Sequence, residues 1–71
     1  MVSQGVWMII DNIKKNREKL GWSQQKLAAE ASLSYNAITK IEQGAAKNPR
    51  METLIKIADA FRITLDELVG R

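Results

Sequence analysis

No cysteine and no histidine occur among the 71 residues. Without cysteine there is no disulfide to staple the fold. Thiolate and imidazole, the usual ligands of zinc and other soft metals, are both missing. The commonest general base and the thiol nucleophile go with them. A glycine-rich phosphate loop is also absent. The acids Glu52, Asp59, Asp66 and Glu67 are better explained by helix caps and solvated faces. An enzyme is therefore not expected, and neither is a metal or any other cofactor.

Long apolar runs are lacking too. The longest, Val6 to Ile10, falls far short of the about 20 residues that span a bilayer. The opening MVSQGVW has no basic segment and no long apolar stretch of the kind that directs secretion. A cytoplasmic chain with no membrane partner is expected. Its length sits near the lower limit for a self-sufficient core. With staples and metals set aside, a partner subunit is the favoured remedy.

What is present reads as helix. Trp7 to Leu20 places Ile9, Ile10, Ile13, Arg17 and Leu20 on one broad face, with Gly21 as a left-handed C-cap. Ser23 caps a second helix, Gln24 to Ala31, whose buried stripe is Leu27, Ala28 and Ala31. Ser34 caps a third, Tyr35 to Gln43, with Ala37, Ile38 and Ile41 inward and Gly44 at its end. GAAKNPR, Gly44 to Arg50, is a loop, in which Pro49 pushes Asn48 out of helical geometry.

Met51 to Phe61 makes a fourth helix, with Met51, Leu54, Ile55, Ala58 and Phe61 at helical spacing. Thr64 to Glu67 fits a capping box opening a short fifth helix, whose apolar residues are Leu65, Leu68 and Val69. No segment alternates convincingly as a strand. One domain, residues 1–71, is expected. Residues 1–6 are read either as a loosely attached extension or as a matter of start-codon choice, since Met8 opens MIIDNIKK, itself a sensible N-terminus.

Charge is unevenly spread. The net value is only +3. From Ser34 to Arg50, Lys40, Lys47 and Arg50 face Glu42 alone, whereas from Met51 onward acids outnumber bases. A basic middle beside an acidic end suggests one face built for a polyanion, although a normally solvated surface would also look like this.

The second and third helices are separated only by a tight turn. Two short helices so joined form a helix-turn-helix, whose second helix can lie in the DNA major groove. The arrangement needs a small residue where the helices approach, which Ala28 supplies, and an apolar plug in the turn, which is Leu33. Tyr35, Asn36, Thr39, Lys40 and Gln43 then share one stripe of the third helix and include no acid. Asn36 can pair bidentately with adenine, and Lys40 can donate to guanine O6 and N7. Thr39 can offer its methyl to thymine or its hydroxyl to a base edge. Tyr35 can reach a base or a phosphate.

REKLGWSQQKLA (Arg17 to Ala28), ITKIEQG (Ile38 to Gly44) and NPRMETLIKIADAFRITLDEL carry a resemblance to the phage-repressor and Cro-like helix-turn-helix proteins, the XRE family. It covers Ile13 to Val69. The resemblance implies an all-α, compact, five-helix lambda-repressor-like domain. Its implied function is sequence-specific transcription regulation, as a repressor that binds a palindromic operator in double-stranded DNA as a homodimer. Base contacts would fall to Tyr35, Asn36, Thr39 and Lys40. Phosphate contacts would fall to Gln24, Ser34, Gln43, Lys47, Asn48 and Arg50.

By the same resemblance Arg17 and Glu42 form a structural ion pair. The dimer contact would involve Phe61, Arg62, Ile63, Leu65 and Val69. One departure stands out: Ser32 occupies the left-handed turn position where relatives commonly have glycine, which implies strain or an altered turn. The rival function is that of an antitoxin or adaptor whose main partner is another protein, such as a toxin. Short members of the family that play this part usually carry an extra segment for the partner.

Overall fold

The computed structural model describes residues 4–45 and 49–70, with side chains from Met8 onward. Among these described residues five helices follow one another: α1 (Gln4–Lys19), α2 (Gln24–Glu30), α3 (Tyr35–Glu42), α4 (Met51–Phe61) and α5 (Leu65–Val69). There is no strand among the described residues. The all-α expectation holds, and the five elements fall where the sequence placed them. α1 begins at Gln4, ahead of the expected Trp7, so residues 4–6 continue the helix. Nothing in that segment forbids helix, since the one glycine costs only about 1 kcal/mol. Residues 1–3 of the expected extension lie outside the described part.

Each boundary has a local cause. The Ser23, Ser34 and Thr64 hydroxyl oxygens accept from the backbone N–H groups of Lys26, Ala37 and Glu67. At α5 the Glu67 carboxylate accepts in return from the Thr64 N–H at 3.1 Å, completing the capping box. The first four helices end in the same double hydrogen-bond pattern. At the end of α2, Ser32 N donates to Ala29 O at 3.2 Å, and Leu33 N donates to Ala28 O at 2.8 Å. This closure requires a left-handed residue. Glycine provides it at Gly21 and Gly44, but Ser32 (φ 56°) and Arg62 (φ 60°) provide it after α2 and α4. The strain expected at Ser32 is present, and Arg62 carries the same strain unannounced by any sequence signal.

Every helix sends one branched aliphatic side chain to the centre. Ile13, Leu27, Ile38, Ile57 and Leu68, one from each of α1 to α5, are fully buried. Ala28, Ala31, Ile41, Leu54, Ala58 and Phe61 complete the cluster. Three expected core residues are instead on the surface: Leu20 (49% exposed), Met51 (60%) and Ile55 (43%). In α4 the inward stripe is Leu54, Ile57, Ala58 and Phe61, a rotation that brings in Ile57 and turns Met51 and Ile55 out. Both stripes have helical spacing, and packing against α1, α2 and α5 selects between them. Leu20 follows the last residue of α1, where the chain is already turning away.

The first and last helices are tied together. Asn12 of α1 donates to the Leu68 carbonyl of α5 at 2.9 Å. Trp22, in the turn before α2, stacks on Phe61 of α4 with ring centroids 5.8 Å apart. This is a packing contact worth about 0.5–1.5 kcal/mol beyond the area it buries.

Candidate nucleic-acid interface

The position of α3 is set by its inner face. Ile38 and Ile41 are buried beneath it, and Leu33 plugs the turn from α2 as a half-buried residue. Ala28 of α2 is 4% exposed, as the close approach of α2 and α3 requires. With the inner face so anchored, the other side of α3 faces solvent. Tyr35 is 47% exposed, and Asn36, Lys40 and Gln43 are exposed beside it, with Thr39 half-buried in their midst. Among the described residues, neither Asn36 nor Lys40 uses its side chain in a hydrogen bond or ion pair. Both remain available to a ligand.

Glu42 is the one acid on α3, and it is turned inward, only 4% exposed. Arg17 of α1 meets it with two parallel hydrogen bonds, Nε to Oε2 at 2.8 Å and Nη2 to Oε1 at 3.0 Å. Such a fork-to-fork pair is among the stronger side-chain contacts. Arg17 Nη1 also donates to the Trp22 carbonyl at 2.9 Å, tying the turn before α2 to the same cluster. Gln24, the first residue of α2, donates from Nε2 to Glu42 Oε1 at 3.1 Å. One carboxylate thus joins α1, α2 and α3. No buried side-chain nitrogen or oxygen among the described residues lacks a partner.

The hydrogen bond to Glu42 raises the Arg17 pKa above its ordinary value. Desolvation pulls the other way, and the charges of Glu42 and Glu18 add to the rise. The pair therefore favours the charged guanidinium.

The residues expected to flank a DNA backbone are placed as follows. Gln24 is half-buried and commits one amide N–H to Glu42, and its amide nitrogen carries a second. This internal use of Gln24 had no signal in the sequence, because it depends on how α2 meets α3. Ser34 is exposed, with its oxygen serving as the α3 cap. Gln43 is exposed at the C-terminal end of α3. Arg50 is exposed at the start of α4 and makes no side-chain cap, so its guanidinium is not needed for that helix. Lys47 and Asn48 lie outside the described residues.

Among the residues expected at a dimer contact, Phe61 is 8% exposed and occupied by Trp22, so it has little surface to offer a partner. Ile63, Leu65 and Val69 are half-buried against the core, and Arg62 is exposed. No helix among the described residues is long and apolar enough to cross a membrane.

Comparison with known proteins agrees with the geometry. A family model described as helix-turn-helix matches residues 13–68. The transcriptional repressor RstR of the cryptic phage CTXphi in Vibrio cholerae is 38% identical over 63 residues, covering 89% of this chain and 55% of the repressor. The HTH-type transcriptional regulator AnsR of Bacillus subtilis is 34% identical over 64 residues, covering 90% of this chain and 54% of the regulator. The chain thus spans about half the length of these two relatives. No solved structure gives a significant match. The helices, the turn at Ser32 and the match over residues 13–68 agree: the chain belongs to the XRE-type helix-turn-helix family.

Proposed function

We propose that the chain binds double-stranded DNA sequence-specifically, with α3 in the major groove, and that it regulates transcription as a repressor. One observation carries this reading. The outward stripe of α3 bears amide, hydroxyl and ammonium groups, while the only acid of the helix is withdrawn from it and neutralised by Arg17. A stripe built only for solubility has no need to bury its carboxylate. The names of the matching proteins, a transcriptional repressor and a transcriptional regulator, support the same conclusion.

In this reading Tyr35, Asn36, Thr39 and Lys40 face base edges. Gln24, Ser34, Gln43, Lys47, Asn48 and Arg50 hold the flanking backbone. Phosphate contacts fix register and orientation, and base contacts carry the sequence information. The chain acts as a binding protein rather than an enzyme, in the cytoplasm.

One recognition helix reads only a few base pairs, so useful specificity on a genome calls for two half-sites. The chain therefore acts as a homodimer on a palindromic operator. Arg62, Ile63, Leu65 and Val69 offer the dimer contact, since Phe61 is taken up by its own subunit. Selection from a random duplex pool at near-physiological salt tests the reading. A two-fold symmetric motif with half-sites about one helical turn apart is the expected result. A lone half-site would remove the dimer, and no enrichment at all would remove the DNA reading.

A further inference from the structure

Thr39 sits within the outward stripe of α3, three residues after Asn36 and four after Tyr35. Its hydroxyl is already engaged. Oγ1 donates to the Asn36 carbonyl oxygen at 2.9 Å, turned back along the helix. A hydroxyl has one hydrogen to donate, and this bond uses it. The bond also fixes χ1, because a β-branched side chain has few staggered positions open to it in a helix. With the hydroxyl committed to the helix backbone, the methyl is the branch of the side chain that this hydrogen bond leaves free.

We infer that Thr39 reads sequence through this methyl, by packing on the 5-methyl group of a thymine, and not through its hydroxyl. Thymine alone among the bases shows a methyl in the major groove. The inference rests on the reading of α3 as the major-groove helix and sharpens it. Asn36 and Lys40 supply hydrogen bonds, while Thr39 supplies an apolar contact between them that selects a thymine in each half-site. The oxygen keeps lone pairs, so the rival use is to accept from an adenine or cytosine amino group.

The test uses the duplex obtained by selection, with each thymine of one half-site replaced in turn by deoxyuridine, which lacks only the methyl. Affinities are measured for the wild-type chain, Thr39→Val and Thr39→Ser. Thermal melts establish that all three are folded. At one thymine, loss of the methyl should weaken wild-type binding about fourfold, the worth of one buried methyl group. Thr39→Val should keep both the affinity and that sensitivity. Thr39→Ser should bind the thymine duplex about fourfold more weakly and be indifferent to deoxyuridine. Two results would overturn the inference while leaving DNA binding intact. One is a wild-type chain that tolerates deoxyuridine everywhere; the other is a Thr39→Ser chain that binds like wild type while Thr39→Val does not. Failure of the wild-type chain to select any duplex removes the underlying reading, and the inference with it.

Discussion

Arg17 holds Glu42 in a two-pronged ion pair, 2.8 and 3.0 Å long, beneath the junction of the two motif helices. The arrangement removes a negative charge from the face of α3 and fixes that helix to α1. Arg17→Met would strand a carboxylate that is 4% exposed, with Gln24 as its remaining side-chain partner. Breaking a buried pair from one side costs about 3–5 kcal/mol, a large share of the stability of so small a domain. Denaturant unfolding should show a loss near the lower figure. A loss well under 1 kcal/mol would mean that the pair is ornamental.

The alkaline behaviour of this pair follows from the raised Arg17 pKa. A cation whose folded value lies above its unfolded value contributes stability that is fully present below the unfolded value. That contribution is lost only as pH rises through the folded one. For arginine both values lie beyond the range in which proteins are handled. Stability measured from neutral into moderately alkaline solution should therefore show no step absent from Arg17→Met.

Ser32 adopts φ 56°, a left-handed conformation that costs an L-residue about 1–2 kcal/mol. Ser32→Gly should relieve that strain at the expense of a more flexible unfolded chain, for a net gain of about 0.5–1 kcal/mol. The melting temperature should rise by several degrees. Ser32→Val, β-branched at a positive φ, should lower it instead. A Ser32→Gly chain that melts below wild type would show that the turn makes some further use of the serine.

The two candidate stripes of α4 give another contrast. Ile57 is fully buried and Ile55 is 43% exposed. Ile57→Ala should cost about 2–5 kcal/mol, whereas a surface change such as Ile55→Ala should stay within about 0.5 kcal/mol. Equal losses in the two variants would contradict the register of the helix.

That contrast also marks how far the sequence could be read. The caps at Ser23, Ser34 and Thr64 and the break between α2 and α3 are local signals, so they were legible residue by residue. The rotation of α4 was not, because Met51, Leu54, Ile55 and Ala58 are as periodic as the stripe that is buried. Only the helices packed against it distinguish the two. Arg62 was hidden for a related reason: a left-handed arginine has no signature, and its conformation belongs to the hydrogen-bonded close of α4. At the candidate interface, the outward stripe of α3 followed from period alone. The claim of Glu42 on Gln24, and the engagement of the Thr39 hydroxyl by Asn36, needed the assembled helices and the rotamer.

Arg50 and Asn36 should fail in different ways as DNA ligands. Arg50 makes no cap and stands exposed before α4, so Arg50→Ala should leave the fold untouched. It should weaken binding to all duplexes alike and lower the salt slope by about one unit. A loss confined to one sequence would assign Arg50 to base reading instead.

The most direct test of the account is the affinity of Asn36→Ala for the selected duplex and for every single-base-pair variant of one half-site. If α3 reads bases, the variant loses roughly 1–3 kcal/mol on the preferred duplex and stops discriminating at one position, while the other positions keep their preferences. An equal loss on every duplex, with the pattern of preference unchanged, would contradict base reading by α3.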